Sequence, residues 1–248
     1  MYDTMTSASR SPKPLDVQIP VDPHWMRALA YATLHFVAAG WLAISGVVAA
    51  FAVPTRTGGV ALAVNMVAAL AYVSLARNRL LNGVGGSRAF AIRNIVRSID
   101  WLCTFPPMQV EVLFLLGLNP STSPNVFVTA PALAALVIGT DLVIRTAFTQ
   151  ARDAPLLWWA AQLVAVALFV VLLVVLHEAA PTAAPNRATI FGFVYIWCAY
   201  PLVSIIADGV RWGTNFNPEV LEDLAFTLLD VLSKGGLAGY IALHHDAI

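Results

Sequence analysis

The sequence predicts an all-α fold, a bundle of seven helices that cross a membrane. Of the 248 residues, 59% are hydrophobic and only 11% are charged, whereas about 25% of the residues in a soluble domain are charged. Seven apolar stretches reach the roughly 20 residues that a helix needs to cross the hydrocarbon core. These stretches are too long, and alternate too little, for the strands of a membrane barrel.

Short segments rich in Gly, Pro and Asn separate the seven stretches and favour turns. The stretches cover residues 26–52, 58–77, 93–117, 127–149, 155–176, 189–211 and 218–243. Residues 1–25 form a polar N-terminal tail that lacks the apolar core of a signal peptide. Residues 26–243 form the membrane domain, and residues 244–248 form a short C-terminal tail.

The charge balance and the cysteines narrow the function. The 14 Lys and Arg residues are balanced by 14 Asp and Glu residues, so no basic surface is available for a nucleic acid. Cys103 and Cys198 both lie in apolar runs, which argues against a disulfide framework and against a metal site. We therefore expect an integral, multi-pass membrane protein that contacts the lipid bilayer. A soluble enzyme, a disordered chain and a nucleic-acid-binding protein are excluded.

Ionisable residues inside the spans are the first candidates for a functional site, because a charge buried in a bilayer is costly. They are Arg97, Asp100, Glu111, Asp141, Arg145, Asp230 and Lys234. Arg145 lies near the end of its span, where its side chain can reach the interface. Asp230 and Lys234 are four residues apart and share a helix face. They form a structural ion pair, or Lys234 serves as a nucleophile toward a carbonyl.

The third span carries a polar stripe. Arg97, Asp100, Thr104 and Glu111 follow one another at intervals of 3, 4 and 7 residues, which places them on one helix face. Asp100 and Glu111 lie about 16 Å apart along the helix axis. Two carboxylates at different depths favour a proton or ion pathway, with a purely structural polar network as the alternative.

Three segments of the chain resemble microbial (type 1) rhodopsins, which are seven-helix retinal proteins. They are RSIDWLCTFPPMQVE in the third span, WCAYP in the sixth and LDVLSK in the seventh. Their order and spacing agree with the family, and the resemblance covers nearly all of residues 26–243. It implies an internal pocket for all-trans retinal.

The resemblance also implies roles for the ionisable residues. Lys234 would hold all-trans retinal as a protonated Schiff base, with Asp100 as the main counterion and proton acceptor and Asp230 as the second counterion. Arg97 would couple this cluster to the outer side of the membrane, and Thr104 would form a hydrogen bond near Asp100.

A proton donor and a release group are implied in the same way. Glu111 would return a proton to the Schiff base, a task for a carboxyl that keeps its proton until it is needed. Glu222 lies where bacteriorhodopsin has a proton-release carboxylate, and Asp208 is a second candidate.

Positions that match the family give the expected lining of the pocket. Trp101 and Trp197 would sandwich the polyene, and Tyr200 and Tyr72 would bond to Asp230. The other expected pocket residues are Met108, Asp141, Phe148, Trp159, Pro201, Ser204 and Ser233.

Some of these positions carry a finer expectation. Met108 is apolar at the main colour-tuning site, which implies green absorption. Ser204 stands where an aromatic residue is usual, and we hypothesise that Phe148 refills the space that it leaves. Trp159 is bulky where relatives with a carotenoid antenna have Gly, so no bound carotenoid is expected.

The resemblance favours a light-driven outward proton pump and not an enzyme. A sensory photoreceptor of the same fold is the first alternative, which Glu111 disfavours. A light-gated channel is less favoured, because Phe105 stands where channelrhodopsins have Cys. Asp100 disfavours chloride and sodium pumps, and a seven-helix receptor or transporter without retinal is the least favoured alternative. We also expect a homo-oligomer.

The expected topology has the N-terminus outside. It places most arginines in the outer segments, although the positive-inside rule alone predicts the reverse orientation. The motif match decides in favour of an outer N-terminus, because the reverse orientation would put Glu111 at the outer end of the relay.

Overall fold

The computed structural model describes residues 23–53, 55–83, 87–147, 155–184, 186–213 and 218–244, and these residues fold as helices and connecting turns, as the sequence predicts. The helices are α1 (Pro23–Ala52), α2 (Arg56–Asn82), α3 (Ser87–Leu115), α4 (Pro124–Ala147), α5 (Pro155–Ala179), α6 (Arg187–Ile196), α7 (Ala199–Gly213), α8 (Glu219–Asp230) and α9 (Gly236–Leu243). Together α6 and α7 form the sixth span. The seventh span consists of α8, a π-helical turn (Val231–Gly235) and α9.

Six of the seven spans are long and apolar enough to cross a membrane, judged on the described residues. The remaining span is α3, a helix of 29 residues. Arg93, Arg97, Asp100 and Glu111 all lie within it and are buried. Among the described residues, the span that does not meet this criterion is therefore the one that carries the predicted polar stripe.

The helix ends differ most from the prediction where arginines lie. The second predicted span ends at residue 77, whereas α2 continues to Asn82, and the third begins at residue 93, whereas α3 begins at Ser87. Arg79 lies in the extension of α2, and Arg93 lies at the predicted start of the third span; both are buried and ion-paired inside the bundle. In the sequence alone, charged residues at the end of a span suggest a loop. Here they lie within helices, because carboxylates of the seventh span neutralise them.

The predicted tails overlap the described residues only in part. Helix α1 already begins at Pro23, so the last residues of the predicted N-terminal tail are helical. Residues 1–22 and 245–248 lie outside the described residues.

Successive helices pack side by side and close into a bundle. Helix α1 packs on α2, α2 on α3, α3 on α4 and α4 on α5, and α9 returns to pack on α1. The seventh span therefore lies beside the first, while α4 and α5 lie on the other side of the bundle. Large apolar side chains cover the outer surface: Phe51 is 85% exposed and Leu156 is 83% exposed. Such a surface suits hydrocarbon and not water.

The π-helical turn contains Lys234. Such a turn adds a residue to an α-helix and is frequent at functional sites. Gly235 follows Lys234 directly and lies against α1, where a Cβ at this position would be 2.5 Å from Nε1 of Trp41. The absence of a side chain at Gly235 therefore lets the first span approach the turn that carries Lys234.

Candidate functional site

Lys234 and two carboxylates form a buried ion cluster at the centre of the bundle. The Nζ atom of Lys234 lies 2.7 Å from Oδ2 of Asp100 and 3.2 Å from Oδ1 of Asp230. All three side chains are 3% exposed or less. A buried ammonium is tolerated only when it is paired and hydrogen-bonded. The ion pair between Lys234 and Asp100 therefore holds the seventh span against α3.

The two carboxylates of the cluster have different surroundings. Asp230 accepts hydrogen bonds of 2.8 Å from the hydroxyls of both Tyr72 and Tyr200. Oδ1 of Asp100 is buried and has no hydrogen-bond partner among the described residues. Thr104 donates to the backbone carbonyl of Asp100 at 2.8 Å and not to its carboxylate. Asp230 is thus held in place by two hydroxyls, whereas Asp100 keeps one oxygen available.

A cavity begins at Lys234 and extends between the helices. The cavity is lined by Trp101, Thr104, Phe105, Met108, Val137, Ile138, Asp141, Gln162, Ala165, Phe169, Trp197, Tyr200, Pro201, Ser204, Asp230, Ser233 and Lys234. An apolar cavity that ends on a buried amine fits a long hydrocarbon with an aldehyde at one end.

Aromatic rings shape the walls of this cavity. Trp101 on α3 lies edge-on to Tyr200, with 5.3 Å between ring centroids. Phe105 on α3 lies edge-on to Trp197 at 5.1 Å. Tyr200 also lies 2.9 Å from the Ser233 hydroxyl, so it connects the wall to the turn that holds Lys234.

Glu111 lies further along α3, toward its C-terminal end. Its side chain is 1% exposed, and its Oε1 has no hydrogen-bond partner among the described residues. In the described part of the chain no lysine, arginine or histidine lies within ion-pair distance of it. A carboxyl in such surroundings is accommodated more readily in its neutral form.

A second ion cluster lies at the opposite end of α3 and centres on Asp223. Arg97 and Arg79 both donate to the carboxylate of Asp223, Arg79 at 3.0 Å. Nε2 of His35 lies 3.2 Å from the same carboxylate. Arg79 also donates to Glu219 at 2.9 Å. One aspartate on the seventh span thus binds arginines from α2 and α3 and lies close to an imidazole from α1.

Arg93 extends this cluster. It donates to Glu222 at 3.0 Å and to the backbone carbonyl of Glu219 at 3.0 Å. Glu222, a predicted release group, is therefore bound to Arg93. Asp223 is the carboxylate that meets Arg97. Asp208, the second predicted release group, is half-buried on α7.

Sequence reasoning missed His35, Arg79, Arg93 and Asp223 as members of this cluster. A signal was present, because residues 219, 222 and 223 share one face of the first turns of the seventh span. Their partners stand on three other helices, and spacing within one helix does not reveal them.

The whole span region matches one family. The model of the family described as "Bacteriorhodopsin-like protein" matches residues 25–246. The chain belongs to the bacteriorhodopsin-like family. It is therefore a microbial rhodopsin and an integral membrane protein, and the family implies a retinal chromophore.

Individual relatives agree with this assignment. The chain is 31% identical over 158 residues to a bacteriorhodopsin of Haloterrigena sp. (strain arg-4), a match that covers 61% of this chain and 60% of that relative. The structure is similar to that of the light-driven proton pump LR (Mac) from Leptosphaeria maculans, with a TM-score of 0.69 and 18% identity over 88% of this chain and 97% of that one. It is also similar to xanthorhodopsin, a light-driven ion pump with dual chromophore, with a TM-score of 0.71 and 17% identity over 88% and 92% of the chains.

Most residues that the sequence assigned to the rhodopsin's pocket do line the cavity. They are Trp101, Met108, Asp141, Trp197, Tyr200, Pro201, Ser204, Ser233 and Lys234. Tyr72 lies behind the cavity, where it donates to Asp230. Phe148 lies outside the described residues, so its packing against Ser204 stays a prediction.

Trp159 is the exception among the expected pocket residues. Its side chain is 41% exposed on the outside of α5 and does not line the cavity. Gln162, Ala165 and Phe169 line the cavity instead, at the three- and four-residue spacing of one helix face. The sequence does not reveal which of the adjacent residues Trp158 and Trp159 faces inward, because this depends on how α5 packs against its neighbours.

Proposed function

We propose that this rhodopsin is a light-driven outward proton pump that binds all-trans retinal through Lys234. The observation that carries the proposal is the placement of Lys234, with its Nζ between Asp100 and Asp230 at the end of an apolar cavity. Retinal would supply light absorption and an isomerisation that changes the direction of the N–H bond at Lys234.

In this proposal Asp100 accepts the proton from Nζ of Lys234. It lies within hydrogen-bond distance at 2.7 Å, and its second oxygen is not engaged by a described residue. Asp230 stays in place as an anion because Tyr72 and Tyr200 donate to it. Proton transfer requires first that the donor and acceptor atoms lie within hydrogen-bond distance, and then that the pKa values of the two groups are matched.

Glu111 and the Asp223 cluster define the direction of transport in the proposal. Glu111 lies near the C-terminal end of α3, and Arg93 and Arg97 lie in its N-terminal half. Lys234 therefore has a buried carboxyl on one side and an arginine-rich exit on the other. Glu111 returns a proton to Nζ from the inner side, and the proton on Asp100 leaves past Arg97 and Asp223.

An outer N-terminus is part of the proposal. The excess of arginines in the outer segments speaks against it when all arginines are counted. Arg79 and Arg93 are 1% and 2% exposed and are paired with carboxylates. Such charges are not free to interact with the membrane surface, so they weaken the argument for the reverse orientation.

Illumination of retinal-loaded cells in unbuffered medium tests the proposal. Acidification of the medium that a protonophore abolishes is the expected result, and a Lys234→Ala variant that forms no pigment should give none. A pigment without a pH change would favour the sensory photoreceptor, and alkalinisation would indicate inward transport.

A further inference from the structure

The cavity also contains polar side chains outside the ion cluster. Gln162 on α5 lines it together with Asp141 on α4 and Ser204 on α7. The turn that carries Lys234 packs on α1, α2, α6, α8 and α9, whereas α4 and α5 lie on the other side of the bundle, so Gln162 and Asp141 line the cavity on the side away from the amine. Gln162 is 5% exposed and lines the cavity, so its side chain lies inside the bundle and not in the lipid.

The amide of Gln162 differs from the polar groups around Lys234. At the lysine end, Asp100, Asp230, Tyr200 and Ser233 hydrogen-bond to one another or to Lys234. Gln162 has no hydrogen bond and no ion pair with any residue that the structure describes. A buried amide without a partner is costly, so a molecule in the cavity should supply the missing hydrogen bond.

Plain retinal has no atom for this purpose. Its single oxygen belongs to the aldehyde, which is lost as water when the carbon joins the lysine amine, and the rest of the molecule is hydrocarbon. A ketone oxygen on the ring can accept from Nε2 of Gln162, and a ring hydroxyl can donate to Oε1.

We propose that this cavity selects a retinal that carries an oxygen substituent on its ring, with Gln162 as the residue that recognises the oxygen. The inference rests on the proposed function, in which Lys234 binds the aldehyde. It identifies the chemical class of the chromophore more closely than the family does.

Competition between two chromophores tests the inference. Retinal-free membranes that contain the full chain are incubated with equal amounts of all-trans retinal and all-trans 4-oxoretinal, and the bound chromophores are released and quantified. We expect enrichment of the ring ketone in the wild type, relative to Gln162→Leu, by about tenfold, the value of one buried hydrogen bond. A second competition with 3-hydroxyretinal should be won by the oxygenated chromophore as well.

A matched control separates the amide from general effects on α5. Leu163 is the next residue and is 67% exposed on the outer face of the helix. Leu163→Ala should keep the enrichment, and Gln162→Leu should lose it. If the wild type and Gln162→Leu incorporate the two chromophores in the same proportion, this inference is wrong and the proposed function stands. That result is expected if a water molecule hydrogen-bonds to the amide. Failure to form a pigment with any chromophore overturns the proposed function as well.

Discussion

Two carboxylates lie near Lys234, and their hydrogen bonds make them unequal. Asp230 is engaged by Tyr72 and Tyr200, whereas Oδ1 of Asp100 has no partner in the described part of the chain. A carboxylate that accepts two hydroxyl hydrogen bonds is stabilised as an anion. Asp100 is therefore better suited to accept a proton, and Asp230 to keep the site negative.

Asp100→Asn tests this inequality. The variant removes one negative charge beside the Lys234 cation, so the absorption maximum should move to longer wavelength. Light-driven proton release should fall on the order of 10²-fold, because the acceptor is lost. Spectra and pH traces of the retinal-loaded protein measure both effects. An unshifted spectrum would contradict the counterion assignment.

Glu111→Gln tests the proposed donor. The amide cannot deliver a proton, so recovery of the initial absorption after a flash should slow on the order of 10²-fold. Added azide, a small weak acid, should restore the rate. Glu178→Gln, an exposed carboxyl at the end of α5, is the control and should recover normally. Unchanged recovery in Glu111→Gln would remove Glu111 from the proton path.

Sequence reasoning reached most of this site because its residues repeat at helical spacing. Arg97, Asp100, Thr104 and Glu111 are all buried along α3, as their intervals predict. Gln162 was missed because a neutral amide gives no electrostatic signal in an apolar span. Trp159 was placed on the wrong side of α5 because adjacent tryptophans leave the facing residue undecided until the neighbouring helices are known.

At the scale of single elements, the π-helical turn depends on close contact with α1. Gly235→Ala would place a methyl group 2.5 Å from Nε1 of Trp41. The variant should lose about 1–3 kcal/mol of stability by overpacking, with a lower melting temperature of the pigment. Gly239→Ala is the matched control, because nothing lies within 4 Å of a Cβ at that position.

A second substitution that removes the Trp41 side chain tests whether this indole causes the clash. The double variant Trp41→Ala with Gly235→Ala should recover part of the melting temperature, since the obstructing indole is gone. A Gly235→Ala pigment as stable as Gly239→Ala would show that α1 does not need this close approach.

The Asp223 cluster joins α1, α2, α3 and α8 through buried charges. Asp223→Asn leaves Arg97, Arg79 and His35 without their shared carboxylate. Removal of one partner from a buried pair costs about 3–5 kcal/mol, so thermal unfolding should begin well below that of the wild type. Glu222→Gln, which disturbs Arg93, is the comparison and should cost less.

A double-mutant cycle tests whether Arg97 and Asp223 interact. Arg97→Gln combined with Asp223→Asn should be more stable than the sum of the two single losses predicts, because neither charge is then left alone. Strict additivity of the two losses would indicate that Arg97 and Asp223 do not interact.

For the whole molecule, hydropathy identifies six of the seven spans, because each needs the same length of apolar sequence, and α3 falls short because it carries buried charges. It predicts their ends less well where arginines are neutralised by another helix, as at Arg79 and Arg93. It also gives no account of how the spans pack, so the meeting of His35 and Asp223 emerges only in three dimensions.

The ionisable groups follow one another in a fixed order along the bundle. Lys234 lies between the Asp223 cluster on one side and Glu111 on the other, with Asp100 beside it on α3. A sensor needs no such series of carboxylates, and a channel needs no separate donor and acceptor. The central claim is therefore that light moves protons outward through this series, even without an electrical or chemical gradient.

The steady photocurrent at zero membrane voltage and equal pH on both sides measures that claim most directly. Cells that express the full chain with retinal should give a sustained outward current under continuous light, and Asp100→Asn should abolish it. No steady current from an intact pigment, or a current directed inward, would contradict the account.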